Sequence, residues 1–298
     1  MQILRYTARG FIALIILLSI FMPLIIPVNP MKQRQIRIEK DSSDIHVSGG
    51  KRNSGFFPVL NISPFRVESK ASLESPSWQH WLGTDILGRD ILARMLLGGQ
   101  VSFFIGFLAT FVSLLIGIPA GALAGFSGGW KDRVFSRFVE LFYAVPMLLL
   151  LILVSGTFEL TSFSLAVLLG IFGWIVPARY MRGEVLKLKE MNYVQYAVAT
   201  GASRWHIIRT HLIPNGIGPV LVAASFNMAN LILIEATLSF LGLGVRPPFP
   251  SWGRMVYDGL GFLNVAPWIY VPPMIMLFLS IFSYDILGQD LKRWLHSR

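Results

Sequence analysis

Long apolar runs alternate with polar stretches along the chain, and each run is about as long as a helix that crosses a bilayer. The first, Phe11–Val28, has 18 residues, and five more follow it. A transmembrane helix needs about 20 mostly apolar residues. The predicted spans are Phe11–Val28, Val101–Ala124, Leu141–Gly156, Phe163–Ala178, Ile217–Leu241 and Trp268–Leu287. The pattern therefore predicts an all-α membrane protein with six transmembrane helices.

The longest polar stretch, residues 31–98, lies between the first two predicted spans. Alternating apolar residues at Ile36–Ile38 and Ile45–Val47 predict a small external hairpin, with a loop without function as the alternative. From Trp78 to Gln100 the apolar residues recur at helical spacing among charged ones. This second pattern is typical of an amphipathic helix that lies at the membrane surface and is anchored there by its tryptophans.

The composition supports a membrane protein and excludes a soluble globule. Only 14% of the residues are charged and 54% are apolar, whereas a soluble chain would carry about 25% charged residues. The formal net charge is +10. In a membrane protein such an excess is typical of topology signals rather than of nucleic-acid binding, so no nucleic-acid partner is expected.

The basic residues also predict the orientation of the spans. If the N-terminus is cytoplasmic, the cytoplasmic segments hold 14 Lys and Arg, and the short external loops hold only Arg246 and Arg254. Short cytoplasmic loops are enriched in Lys and Arg, while a stretch as long as residues 31–98 carries little weight in this comparison. Both termini are therefore predicted to be cytoplasmic.

Several motifs that suggest enzyme chemistry lack the context they need. Gly125–Gly129 matches the G-x-S-x-G nucleophile elbow, but a predicted membrane helix precedes it where the elbow requires a strand. The chain has no G-x-x-x-x-G-K-[ST] sequence for binding a nucleotide phosphate. His206 and His211 are five residues apart and are predicted not to share a helix face. Neither catalytic residues nor a metal site are predicted.

A stripe of small residues runs along the second predicted span. Its members are four residues apart, so they lie on one helix face: Ser113, Gly117, Gly121 and Gly125. Small residues let two helix backbones approach closely, and van der Waals contact then favours association in lipid. The stripe could pack against another helix of this chain or against a partner subunit, and the sequence leaves both alternatives open.

Glu235 is the acidic residue that lies deepest in a predicted span. An ionisable side chain in a membrane segment often marks a transport pathway. Because Glu235 lies toward the outer end of its span, a structural hydrogen bond to a neighbouring helix is the alternative. Glu235 is thus a candidate either for the translocation path or for a structural role.

The segment between the fourth and fifth predicted spans is predicted to form two short helices separated by a break. Asn192–Thr200 is predicted to be a short helix, Gly201 its left-handed C-terminal cap, and Ser203 the N-cap of a second helix, Arg204–Leu212. Pro214 is predicted to open the next span, where its missing N–H costs little. Such a bend offers a surface to which a soluble partner could bind. The alternative is that the segment only connects the two spans.

These residues resemble a known family. Asn192–Ser203 with His211–Asn215 resembles the EAA coupling loop of bacterial ABC importer permeases. Three further segments resemble the second permease subunit of dipeptide and oligopeptide importers: Trp81–Asp90, Gly121–Asp132 and Leu238–Val245 with the following Pro-rich segment. The four motifs stand in the family's order, and the resemblance covers roughly residues 78–298.

The resemblance implies a fold, a function and partners. The fold would be the type I ABC importer transmembrane domain. The function would be that of a permease subunit that forms half of a peptide path through the bacterial inner membrane, and not an enzyme. The partners would be a homologous second permease, two ABC ATPase subunits, an external peptide-binding protein and membrane lipid. ATP and Mg²⁺ would be bound by the ATPase subunits, so no cofactor is expected in this chain.

The resemblance also assigns a coupling role to the cytoplasmic bend. The residues expected to contact or shape the ATPase interface are Gln195, Tyr196, Ala197, Gly201, Ala202, Ser203 and Pro214. Gln195 and Tyr196 replace the Glu and first Ala of the motif, while Ala197 and Gly201 match it. Gln195 is neutral and cannot form an ion pair, so a matched change in the ATPase is expected.

The rival functions are a permease for nickel or another small solute, a non-transporting sensor or scaffold on the same fold, and an intramembrane enzyme. The lack of a predicted catalytic base or metal site argues against the enzyme. The predicted domain division is an anchor at residues 1–30, a periplasmic loop at 31–98, a permease domain at 99–288 and a cytoplasmic tail at 289–298. The anchor is expected to stay uncleaved because no small-x-small site follows it.

Overall fold

The computed structural model describes residue 10, residues 73–245 and residues 249–296, and within these ranges the chain is helical with no strand. The first predicted span and the predicted hairpin near residues 36–47 lie outside the described residues. The helices are α1 Ile91–Ser127, α2 Gly129–Ala144, α3 Met147–Thr157, α4 Ser162–Gly173, α5 Ile175–Leu188, α6 Asn192–Ala199, α7 Arg204–Ile207, α8 Ile213–Phe240, α9 Trp252–Gly259 and α10 Val271–His296. Short 3₁₀ turns lie at Leu260–Phe262 and Pro267–Ile269.

Four helical stretches of the described chain are long and apolar enough to cross a membrane: Ile91–Ser127, Ser162–Leu188, Arg204–Phe240 and Pro267–Leu295. Each contains one of the predicted spans, except that the predicted Ile217–Leu241 ends one residue beyond Phe240. A fifth crossing is possible if α2 and α3, which meet at 70°, together form one broken span. The described residues therefore hold four or five candidate spans.

The prediction of one continuous helix at Leu141–Gly156 is wrong, because the chain breaks between α2 and α3. Val145 has an extended backbone, with φ −96° and ψ 120°, and Pro146 precedes α3. A proline disfavours helical dihedrals in the residue before it and donates no backbone hydrogen bond. The break therefore follows from the Val145–Pro146 step.

The predicted surface helix at Trp78–Gln100 is also wrong, because residues 73–90 form turns and the helix begins only at Ile91. Gly83 and Gly88 have φ of 73° and 69°, which ends any helix that would pass through them. The Asp90 carboxylate then caps α1 by accepting a hydrogen bond from Ala93 N at 2.8 Å. The helix of the second span thus begins ten residues earlier than predicted, and the domain boundary placed at residue 98 falls inside α1.

The predicted separate helix at Arg204–Leu212 is instead the first part of one helical stretch that continues to Phe240. The stretch passes through a π-helical turn at Ile208–Leu212, where Ile213 N–H donates to Ile208 O, five residues back. Pro214 comes just after this turn and cannot donate a backbone hydrogen bond. Pro214 lies in the first turn of α8, as predicted. The wider turn before it lets the helical stretch begin earlier, at Arg204.

The described helices pack around α1 and α8. One cluster of buried side chains joins α1, α4 and α8 around Ile105, Leu169 and Leu231. A second joins α5, α6 and the π turn around Met181, Val194 and Leu212. The second cluster lies at the end of the bundle that carries α6, which we call the α6 end. The short helices of that end are therefore part of the packed bundle.

Candidate functional site

The bend after α6 has the backbone geometry that its sequence predicts. Gly201 has φ 79°, in the left-handed region that glycine adopts without strain. Gly201 N–H donates to Val198 O at 3.1 Å. Ala202 N–H donates to Ala197 O at 3.0 Å, which completes a Schellman motif. The predicted C-terminal cap at Gly201 is confirmed.

The second half of the bend starts with the predicted cap. Ser203 Oγ accepts a hydrogen bond from His206 N at 3.2 Å, so Ser203 is the N-cap of α7. The rings of His206 and His211 lie 6.1 Å apart, and Tyr193 lies 6.1 Å from His211. The prediction that the two histidines do not share a face is wrong, because the intervening π turn brings residues five apart together.

Side chains of the bend divide sharply between the bundle and the solvent. Val194 and Ala197 are 1% and 9% exposed and pack into the cluster at the α6 end. Tyr196 and Trp205 are 72% and 57% exposed. Gln195 is exposed, and its Nε2 donates to Glu190 O at 3.3 Å. Ala197 therefore faces this chain and not a partner, which corrects its expected role as a contact residue.

The exposed part of the bend is aromatic and basic, and we call it the coupling surface. It consists of Met191, Tyr193, Tyr196, Val198, Arg204, Trp205 and Arg209, all exposed. Exposed tyrosine, tryptophan and arginine are the residue types enriched at protein–protein contacts. The arginines favour a partner surface that carries negative charge. The geometry thus provides a compact exposed surface that is fixed to the bundle by the buried residues beneath it.

The small-residue stripe packs against α5 of the same chain. A Cβ atom placed on Gly117 would lie 2.6 Å from the carbonyl oxygen of Trp174, and one placed on Gly121 would overlap the carbonyl oxygen of Ala178. A Cβ on Gly125 would lie 3.0 Å from the carbonyl oxygen of Arg182. Of the two alternatives for the stripe, the structure selects internal packing.

Ser113, the first residue of the stripe, also makes internal contacts. Its hydroxyl donates to Thr110 O at 2.8 Å and accepts from Asn227 Nδ2 at 3.5 Å. Ser113 therefore joins α1 to α8 by a buried hydrogen bond, while the glycines that follow it join α1 to α5.

Glu235 is fully buried and hydrogen-bonded to two serines. Ser102 Oγ donates to one carboxyl oxygen at 3.3 Å and Ser239 Oγ donates to the other at 2.7 Å. Ser251 Oγ, at the N-cap of α9, donates in turn to Ser239 Oγ at 3.2 Å. This network joins α1, α8 and the segment that leads into α9. The geometry favours the structural alternative for Glu235 over a position on the path.

Two contacts that the sequence analysis missed join α2 to α5. Arg182 donates two hydrogen bonds to the Asp132 carboxylate, at 2.5 Å from Nε and 2.7 Å from Nη2. Arg179 lies over the Tyr143 ring, 5.3 Å from its centroid. Neither pair has a spacing pattern in the sequence, because its members are far apart along the chain.

Comparison with known proteins relates this arrangement to membrane transport. A family described as "Binding-protein-dependent transport system inner membrane component" matches residues 117–296. The oligopeptide transport system permease protein OppC of Bacillus subtilis (strain 168) is 39% identical over 238 residues, which cover 80% of this chain and 78% of that protein. The dipeptide transport system permease protein DppC of the same organism is 37% identical over 235 residues, covering 78% and 73% respectively.

A solved structure has a similar fold. The match is to a chain from inward-facing conformations of the MetNI methionine ABC transporter, with a TM-score of 0.53 and 18% sequence identity. It covers 68% of this chain and 96% of that one. At this identity the likeness establishes the fold, which is that of a type I ABC transporter permease.

Proposed function

The chain belongs to the family of binding-protein-dependent transport system inner membrane components, and on that premise we propose that it forms half of a peptide path through a bacterial inner membrane. The observation that carries the proposal is its similarity to OppC, 39% over 80% of the chain. That protein is named for oligopeptide transport, and DppC is named for dipeptide transport. Both names support peptides as the substrate class.

The proposed complex contains this chain, a homologous second permease, two ABC ATPase subunits and an external peptide-binding protein. ATP and Mg²⁺ are bound by the ATPase subunits. In this proposal the coupling surface contacts an ATPase subunit, with Tyr196 and Trp205 as its aromatic anchors. Their exposure of 72% and 57% supports this role, since an exposed tyrosine or tryptophan gains apolar contact when a partner covers it.

Coupling requires that movement of the ATPase subunits reach the spans. The buried side of the bend supports such transmission, because Val194 and Ala197 pack against Met181 and Val185 of α5. The bend also continues through α7 into α8 without a break. A displacement of α6 would therefore shift two spans together. Closure of the ATPase subunits would favour one state of the path only if they bind that state more tightly.

The six-span topology with both termini cytoplasmic belongs to the same proposal. A reporter enzyme that is active only in the periplasm tests it. Fused after residue 60 the reporter should be active, and fused after residue 195 it should be inactive. The opposite pattern would refute the orientation, and activity at both sites would refute the number of spans.

Peptide transport is tested with the complete importer in proteoliposomes. Labelled trialanine and radioactive nickel are offered separately, in the presence and absence of ATP on the ATPase side. ATP-dependent accumulation of trialanine supports the proposal. Accumulation of nickel alone would assign the chain to small-solute transport, and accumulation of neither, with ATPase activity that still responds to the binding protein, would favour a sensor.

A further inference from the structure

The exposed side of α2 carries two different stripes. One stripe is polar, with Arg133, Arg137, Glu140 and Tyr143 at spacings of three and four residues, and all four are exposed. The other is apolar, with Val134, Phe138 and Leu141, also exposed. Residues three and four apart lie on one helix face. The two stripes therefore face different surroundings in the assembled protein.

Of the two stripes of α2, only the apolar one is suited to contact with lipid. Arg137 and Glu140 form an ion pair of 2.6 Å, with side chains 81% and 59% exposed. A charged group placed in hydrocarbon costs a few kcal/mol, and charged side chains in membrane segments face water-filled cavities or protein. The exposed faces of α1 and α10 carry large apolar residues instead, among them Phe107 and Phe278. The polar stripe of α2 thus suits contact with water or protein rather than with lipid.

Arg179 of α5 extends this polar surface at the Tyr143 end of α2. Its guanidinium lies over the Tyr143 ring, at the far end of the polar stripe. Tyr143 follows Asp132 by 11 residues, a rise of roughly 16 Å from the Asp132–Arg182 pair. The guanidinium therefore lies beside Tyr143, about three helical turns of α2 beyond Asp132.

The guanidinium of Arg179 is available for a ligand. Arg179 is exposed, and among the described residues no carboxylate lies within ion-pair distance of it. The cation–π contact with Tyr143 does not consume the guanidinium N–H groups, which can still donate hydrogen bonds to a ligand. A planar arginine fork matches a carboxylate with two parallel hydrogen bonds. The chemistry therefore fits a carboxylate that travels along the polar stripe.

We propose that Arg179, held over Tyr143 at the end of the polar stripe of α2, binds the carboxylate of a peptide inside the translocation path. This inference rests on the proposed function, because it takes the peptide as the source of the carboxylate. A peptide with a free C-terminus always carries that group, whatever its side chains. One arginine could thus hold peptides of many sequences by the feature that they share.

The first test asks whether the stripe faces water. The chain has no cysteine, so each introduced cysteine is the only one in this subunit. The complete importer carries either Glu140→Cys or the neighbouring Leu141→Cys, and its other subunits are made free of cysteine. Each variant is treated with a charged thiol reagent that does not enter lipid. Glu140→Cys should react and Leu141→Cys should not. Equal reaction, or the reverse order, would overturn the proposal.

The second test asks whether Arg179 binds the carboxylate. Uptake of labelled trialanine is compared with uptake of trialanine amide, in the wild-type importer and in the Arg179→Gln and Arg179→Lys variants. Arg179→Gln should lower the ratio of acid to amide uptake about tenfold, since a charged hydrogen bond is lost. Arg179→Lys should give a ratio between those of the wild-type importer and Arg179→Gln, because lysine keeps the charge but cannot form two parallel hydrogen bonds. Lys187→Gln, at an exposed position two turns further along α5, should leave the ratio unchanged.

The outcomes separate this inference from the function on which it rests. If the wild-type importer transports neither peptide, the proposed function fails and the inference falls with it. If it transports peptide and Arg179→Gln leaves the ratio unchanged, only the inference is overturned. An equal loss for acid and amide would also overturn it, and would point to a carboxylate of the second permease as the partner of Arg179.

Discussion

Arg182 donates two hydrogen bonds to the Asp132 carboxylate, one from Nε at 2.5 Å and one from Nη2 at 2.7 Å, although the two residues are 50 positions apart in the chain. The two side chains are 29% and 18% exposed, so water screens the pair only in part. The pair joins the start of α2 to α5 beside the glycine stripe. It therefore fixes how α2 leaves the bundle after the turn at Gly128.

Removing one partner of this pair should destabilise the protein. We expect Asp132→Ala and Arg182→Ala each to lower stability, with a coupling energy of about 1–3 kcal/mol in a double-mutant cycle, because a half-buried charge loses its partner. Thermal or detergent-induced unfolding of the purified protein measures this. The Glu184–Lys187 pair, in which Lys187 is 71% exposed, is the control and should give a coupling energy below about 0.5 kcal/mol. Equal coupling energies for the two pairs would contradict the prediction.

Gly121→Leu should disrupt the contact between α1 and α5. A Cβ at Gly121 already overlaps the backbone of Ala178, so the helices must separate. Overpacking costs about 1–3 kcal/mol, and more where backbone must move. The yield of monodisperse protein and its melting temperature should both fall. Gly183→Ala is the matched control, since a Cβ there meets nothing within 4 Å. A normal melting temperature for Gly121→Leu would show that the contact tolerates a large side chain.

Gly201→Val should impair coupling while the spans still assemble. A Cβ on Gly201 meets no atom within 4 Å, so the effect comes only from the backbone at φ 79°. Strain of roughly 1–3 kcal/mol should tilt α6 relative to α7. We expect normal abundance in the membrane, weaker capture of the ATPase subunits and loss of uptake. Gly201→Asn should be milder because asparagine tolerates this conformation, and identical behaviour of the two variants would argue against backbone strain.

Tyr196 and Ala197 are neighbours with opposite environments, so they separate docking from folding. Tyr196→Ala removes an exposed ring and should weaken ATPase capture without changing the melting temperature. Ala197→Asp places an unpaired charge in the packed cluster and should lower the melting temperature. Co-purification with the ATPase subunits and thermal unfolding give the two readouts. Unchanged capture by Tyr196→Ala would remove Tyr196 from the docking surface.

Glu235→Leu should loosen the connection between α8 and α9. The change leaves the hydroxyls of Ser102 and Ser239 without their acceptor, at a cost of about 1–3 kcal/mol. Glu235→Gln keeps one acceptor oxygen and should cost less. Thermal unfolding measures both variants, and uptake by Glu235→Gln should stay close to the wild-type rate. Lost uptake with an unchanged melting temperature would instead place Glu235 on the path.

Local chemistry explains the parts of the fold that could be predicted from the sequence. Apolar runs locate the four long crossing stretches because each helix satisfies its own backbone hydrogen bonds in lipid. The caps at Gly201 and Ser203 were also predictable, since each depends on residues fewer than five positions away. The start of α1 at Ile91 was mispredicted although its Asp90 cap is equally local. The turns before it are held by contacts between residues ten or more positions apart, such as Glu74 with Thr84.

The sequence motif determines only part of the candidate site. The motif identifies the bend, but burial decides that Tyr196 faces outward and Ala197 inward. The π turn before Pro214 likewise changes which side chains meet, and it places His206 beside His211. Side-chain direction on a short helix depends on what packs against it, which no single-sequence pattern specifies.

By itself the sequence determined that the chain is a helical membrane protein with a capped bend between two of its spans. These features depend on lipid as solvent and on hydrogen bonds between near neighbours. Only the tertiary structure decided that the glycine stripe packs within the chain, that Asp132 meets Arg182, and that Arg179 lies over Tyr143. Those contacts join residues from 36 to more than 50 positions apart, and they form only because the α1–α5 packing brings the helices together.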